Sequence, residues 1–114
     1  MNNTIIGLDI AKTNFHLVKI NEKGKQLSKK SLHRTKVLEY FANYESCTVA
    51  LEACGGSNYW GRELSKLGQN VKIIPAMKVK PYLVKQKNDL NDAAAIAEAA
   101  SRESVKFLSP ARAE

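Results

Sequence analysis

Apolar residues fall in short runs whose spacing changes along the chain. Thr4 to Ile10 (TIIGLDI) is a compact apolar run with β-branched residues, and Phe15 to Ile20 (FHLVKI) alternates apolar and polar positions. Both predict strands. Asn21, Glu22, Lys23 and Gly24 supply turn chemistry, and Lys25 to Leu32 then reads as a polar edge strand blunted by its lysines. The opening is therefore expected to be a three-stranded antiparallel meander. From Thr35 the period lengthens: Val37, Leu38, Phe41 and Ala42 recur at helical spacing up to about Tyr44.

Cys47 to Leu51 (CTVAL) has the look of a buried strand, broken by Gly55, Gly56 and Ser57 ahead of a helix that carries Tyr59, Trp60, Leu64 and Leu67. Gly68 suits the end of that helix, and Val71 to Ile74 makes a fifth strand stopped by Pro75. The stretch from Pro75 to Asn88 holds Lys78, Lys80, Lys85 and Lys87, no acid, and Pro81, which would restart or kink a helix. It reads as a basic connector. Asn88 can cap a last helix that runs through the alanines to about Arg102. The order β-β-β-α-β-α-β-α fits one mixed sheet with helices on its faces. There is no internal repeat or low-complexity tract.

Length suits a single domain, and 44% hydrophobic with 25% charged residues is ordinary for a globular chain. Charge balance adds more. Eighteen Lys and Arg against eleven Asp and Glu leave +7, the sign that suits a phosphate-bearing partner and, equally, many merely soluble proteins. Cys47 and Cys54 fit neither a zinc knuckle nor a disulfide framework, so both are expected to be reduced in a cytoplasmic setting. No run is apolar enough for a membrane span, and no export signal is legible.

Four acids carry the candidate chemistry. Asp9 is the penultimate residue of an otherwise apolar strand, and Glu52 follows a second one directly after Leu51, with two glycines soon after to let the backbone turn. If the two strands are parallel neighbours, both carboxylates reach the same sheet edge. Asp89 and Asp92, three apart, share one face of a helix at its first turn. Converging carboxylates repel one another unless a hard cation such as Mg²⁺ or Mn²⁺ sits among them, and a pair of such ions suits phosphodiester chemistry. Taken singly, each acid has a plainer reading: a strand-end acid facing water, or a helix-start acid favoured by the macrodipole. Lys12, Lys78, Lys80, Lys85 and Lys87 are placed to meet a phosphate backbone or to serve as ordinary surface charge. Tyr59 and Trp60 are expected in the core, and His16 and His33 lack ligand spacing.

In order, GLDIAKTNFHLVKI, LEACGGSNYWGREL and KQKNDLNDAAAIAEAA resemble the three motif blocks of the DEDD insertion-sequence transposases, a family that includes the Piv-like invertases. The resemblance covers nearly the whole chain. It implies an RNase H-like, RuvC-like fold, a tetrad of Asp9, Glu52, Asp89 and Asp92 holding Mg²⁺ or Mn²⁺, and DNA cleavage in transposition. It further implies a homo-oligomer on DNA, bacterial and nucleoid-associated, with a structured RNA from the element able to guide target choice. Family members are longer and carry a C-terminal domain with a serine proposed as a nucleophile. Residues 1–114 are thus expected to be the RuvC-like domain of a longer protein, and no serine here inherits that role.

Three rivals are weighed against this. A sugar-kinase or actin-like ATPase would use GLDIAKTN as a phosphate hairpin, but Ala11 and Lys12 stand where that hairpin needs glycines. A Holliday-junction resolvase or DNA invertase could use the same tetrad. A catalytically incomplete DNA-binding fragment is the non-enzymatic alternative.

Overall fold

The computed structural model describes residues 4–83 and 91–102. Strands β1 (Ile5–Asp9), β2 (Asn14–Ile20) and β3 (Gln26–His33) come first, followed by a 3₁₀ turn (Arg34–Lys36) and helix α1 (Val37–Ala42). Then come β4 (Thr48–Glu52), α2 (Ser57–Lys66), β5 (Asn70–Ile74), α3 (Ala76–Leu83) and α4 (Asn91–Ala100). The strands form one sheet in the order β3-β2-β1-β4-β5, with β1–β2 and β2–β3 antiparallel and β1–β4 and β4–β5 parallel. This is the mixed sheet expected from the alternation of periods.

The meander follows from local chemistry. The Asn21 side-chain oxygen accepts from the backbone N–H groups of Lys23 and Lys25, and Gly24 takes φ 84°, a conformation that favours glycine. Pairing of Asp9 with His16 and of Ile5 with Ile20 then fixes the β1–β2 register. β3 is the open edge, exposed at every position except Leu32, which is half-buried.

Alternation sorts the sheet into two faces. Ile6, Leu8, Phe15, Leu17, Val49, Leu51 and Ile73 pack beneath Val37 and Phe41 of α1 and Trp60 and Leu64 of α2. On the other face, Ala50 and Ile74 meet Val79 of α3 and Ala95, Ile96 and Ala99 of α4, while Val18 and Ile20 meet Ala93 and Ala97. A buried amide links α1 to the β4–β5 layer. Gln69 accepts from the Cys47 N–H at 3.0 Å and donates to the carbonyls of Phe41 and Tyr44 at 3.3 and 3.4 Å.

The basic connector is corrected in part. Ala76 to Leu83 is helical with Pro81 inside it, because Val79, Tyr82 and Leu83 bury an apolar stripe against α4 and that packing outweighs the missing Pro81 N–H. The expected caps at Asn88, and Asp89, Lys85 and Lys87, lie outside the described residues. Both cysteines are free, Cys47 buried and Cys54 exposed. No described helix is long and apolar enough to cross a membrane.

Candidate functional site

Asp9 is the last residue of β1 and Glu52 the last of β4. Because β1 and β4 are parallel neighbours with Leu8 opposite Leu51, the next residue of each strand emerges at the same sheet edge. Strand alternation aims both carboxylates at the α4 side, since Asp9 shares its face with Gly7 and Glu52 shares its face with Ala50. Asp92 lies in the first turn of α4 and comes to that edge from above.

Gly7 sets how close α4 lies. A Cβ at Gly7 would collide with the carbonyl of Ala93 and stand 2.6 Å from the amide nitrogen of Ala97. The helix therefore crosses β1 backbone to backbone, one residue after Asp92, which holds Asp92 over the end of the strand that carries Asp9. Small residues at Ala93 and Ala97 make the approach possible from the helix side.

Electrostatics record the convergence. Burial pushes the Asp9 carboxyl above its ordinary range, the charge of Asp92 pushes it further, and His16 partly offsets both. Glu52 is raised by burial and then by Asp92 and Asp9. The charge of Asp92 thus reaches both strand-end carboxylates, and that of Asp9 reaches Glu52. His16 Nδ1 stands 3.9 Å from Asp9 Oδ2. Ligand spacing does not mark His16 in the sequence. The available signal was the hairpin register, which puts it directly opposite Asp9.

Of the expected tetrad, the structure brings Asp9, Glu52 and Asp92 to one edge, and Asp89 lies outside the described residues. Among the described residues, no three His, Cys, Asp or Glu side chains are drawn tightly enough together to cage an ion. The donor chemistry nevertheless fits a hard divalent cation: the half-buried carboxylates of Asp9 and Glu52 meet the exposed Asp92, whose charge raises both. Lys12 is exposed three positions beyond Asp9, and Lys78 and Lys80 are exposed on α3. Trp60 is in the core as expected, edge-on to Phe15 at 4.8 Å, but Tyr59 is 47% exposed because it sits on the solvent side of α2.

Residues 6–114 match a family model described as a transposase, of the DEDD, IS110 type. A probable family 20 transposase of Pseudomonas aeruginosa is 41% identical over 100% of this chain and 34% of its own length. The transposase for insertion sequence element IS1328 of Yersinia enterocolitica is 38% identical, over 96% of this chain and 33% of its own. The transposase for IS1111A of Coxiella burnetii is 43% identical, over 91% and 29%. The chain spans about a third of the length of these relatives. Among solved structures, RuvC of Thermus thermophilus aligns with 92% of this chain and 99% of its own at a TM-score of 0.62 and 18% identity. The same protein in complex with a Holliday junction substrate aligns over the same shares at 0.56 and 17%. That likeness establishes the RuvC-like, RNase H-like fold.

Proposed function

We infer, since this chain belongs to the IS110-type DEDD transposase family, that it is the catalytic domain of a DNA transposase, cutting DNA strands with Asp9, Glu52, Asp89 and Asp92 as cation ligands. The observation that carries the reading is the meeting of two strand-end carboxylates at one edge with Asp92, whose charge raises both. Such an arrangement costs stability while it stays charged and unpaired, so it is the kind of feature kept for function.

Mg²⁺ or Mn²⁺ bound there would supply activation of the attacking oxygen and stabilisation of the leaving one. The chain's own part is to hold oxygen donors on a rigid base. Asp9 and Glu52 are fixed by paired strands, and Asp92 is held by the close crossing of α4 over Gly7. His16 Nδ1, 3.9 Å from Asp9 Oδ2, is beyond direct hydrogen-bond reach and sets an imidazole beside that carboxylate at the rim. Lys12, Lys78, Lys80, Lys85 and Lys87 would meet the DNA backbone. The sign of the net charge, +7, supports that role. Family membership also supports assembly as an oligomer on DNA, guidance by an element RNA, and a cytoplasmic, nucleoid-associated setting.

The test is calorimetric titration of Mg²⁺ and Mn²⁺ into the wild-type chain and into Asp9→Asn and Asp92→Asn, with branched DNA present and absent. Saturable binding that weakens about tenfold or more in both variants is the expected result. Equal binding by all three proteins would sink the carboxylate assignment. Cleavage of element-end DNA in preference to four-way junctions, measured on the full-length protein, separates a transposase from a resolvase.

A further inference from the structure

Beyond the carboxylate edge, the described residues form a second developed surface, the seam between the exposed strand β3 and helix α1. Two adjoining hollows run along it, and a third lies past the end of β3, between the 3₁₀ turn, α1 and α2. The first is walled by Lys19, Ser28, Lys29 and Lys30 against Tyr40 and Tyr44. The second shares Lys30, Tyr40 and Tyr44 and adds Lys36. The third lies between Arg34, Leu38, Tyr59 and Trp60. Across all three, Glu39 is the one carboxylate against five cations.

Cations and rings alternate along this seam. Lys19 Nζ lies 5.2 Å from the centre of the Tyr44 ring, Lys30 Nζ 5.4 Å from that of Tyr40, and the Arg34 guanidinium 5.7 Å from that of Trp60. Tyr40 and Tyr44 are stacked, with ring centres 5.2 Å apart. From Ser28 to Arg34 the seam covers about 20 Å at roughly 3.3 Å per residue, room for a few nucleotides.

Its far end reaches the carboxylate edge. The Arg34 N–H donates to the carbonyl of Thr13 in the turn that follows Asp9, at 2.7 Å. The Trp60 ring lies against Gly56, in the loop after Glu52, and a Cβ on Gly56 would stand 3.6 Å from Trp60 and 3.8 Å from Ile10. The seam is on the α1 side of the sheet and the carboxylates on the α4 side. A strand passing between them crosses the sheet edge at Ile10 and Gly56.

We propose that the β3–α1 seam is a binding track for single-stranded DNA that leads unpaired nucleotides to or from the carboxylate edge. Cations alone would serve a duplex equally well. The rings make the difference, because only an unpaired base can offer its face to a tyrosine, and a charged groove lined with aromatics is the general solution for single strands. DNA is the committed occupant because the track is continuous with the carboxylate edge. The proposal rests in that respect on the reading of that edge as a DNA-cleaving site.

The test is fluorescence anisotropy of a labelled oligothymidylate with the wild-type chain and with Lys30→Ala, Lys36→Ala and Arg34→Ala, in chelator and over a series of salt concentrations. All three positions are exposed, and circular dichroism checks that each variant is folded. Each substitution is expected to weaken binding about threefold to tenfold and to lower the salt slope by roughly 0.7. An iodouracil-substituted oligonucleotide should cross-link to Tyr40, Tyr44 or Tyr59. Wild-type affinity in all three variants overturns the proposal, as does tighter binding of duplex DNA or RNA of the same length, or cross-links confined to the α4 face. No metal is present in this assay. Failure of the cation titration at Asp9 therefore leaves its result standing, and the reverse holds as well.

Discussion

Gly7 shows how much one missing methyl group can decide. The residue is buried mid-strand, and its value lies in the contact it permits: α4 rests directly on the β1 backbone. Gly7→Ala is expected to cost about 1–3 kcal/mol in urea unfolding, because the helix must lift to clear the new Cβ. Lifting the helix also moves Asp92 away from Asp9. Divalent-cation affinity should therefore fall in the folded variant, whereas a purely local packing defect would leave it unchanged. Cys47 makes a prediction of another kind. Burial pushes its thiol up from an ordinary value of 9.0 to about 11. The folded chain holds that proton more tightly than the unfolded chain. The stability this contributes is fully present below about pH 9 and is lost as pH rises toward 11. Urea midpoints should fall across that window, and Cys47→Ala should make the fall shallower even though it lowers stability at neutral pH.

Between residues and the whole lie the elements, where the sequence was read most easily. A compact apolar run located β1, period-two alternation β2, and a turn followed by a lysine-rich polar stretch β3, while helical spacing located α1 and α2, each of which buries one face. The parallel β1–β4 pair was also legible, and with it the meeting of Asp9 and Glu52. What escaped was set by packing between distant segments. Pro81 suggested a break, yet α3 forms around it because Val79 and its neighbours have α4 to bury against. Nothing local marks Gly7 as a crossing point or Tyr59 as exposed. Gln69 is likewise silent in sequence, an unremarkable polar residue after a glycine, although it joins α1, β4 and the turn before β5. Gln69→Leu keeps the volume and removes the bonds, leaving the Cys47 N–H and two α1-end carbonyls without this partner. A loss of at least about 1–3 kcal/mol in thermal or urea unfolding is expected, with the earliest amide exchange at the end of α1.

Taken as a whole, the molecule divides its labour by face and edge. One face of the sheet, with α1 and α2, carries the larger core and the cation–ring seam; the other, with α3 and α4, carries a thinner alanine-rich core and the acids. Positive charge dominates the total, +7, yet the acids gather where the sheet ends, so an approaching polyanion is attracted broadly and repelled locally. A bound cation would remove that local barrier. The assembly of this edge also has a temporal side. Asp9 belongs to the first strand and Asp92 to the last described helix, 83 positions later in the chain. During synthesis at about 5–20 residues per second, roughly 4–17 s separate the emergence of the two. Until α4 has been made and has settled on Gly7, a ribosome-bound chain holds a nearly finished sheet with no complete cluster of acids. The carboxylate edge is thereby the last part of the described fold to be completed.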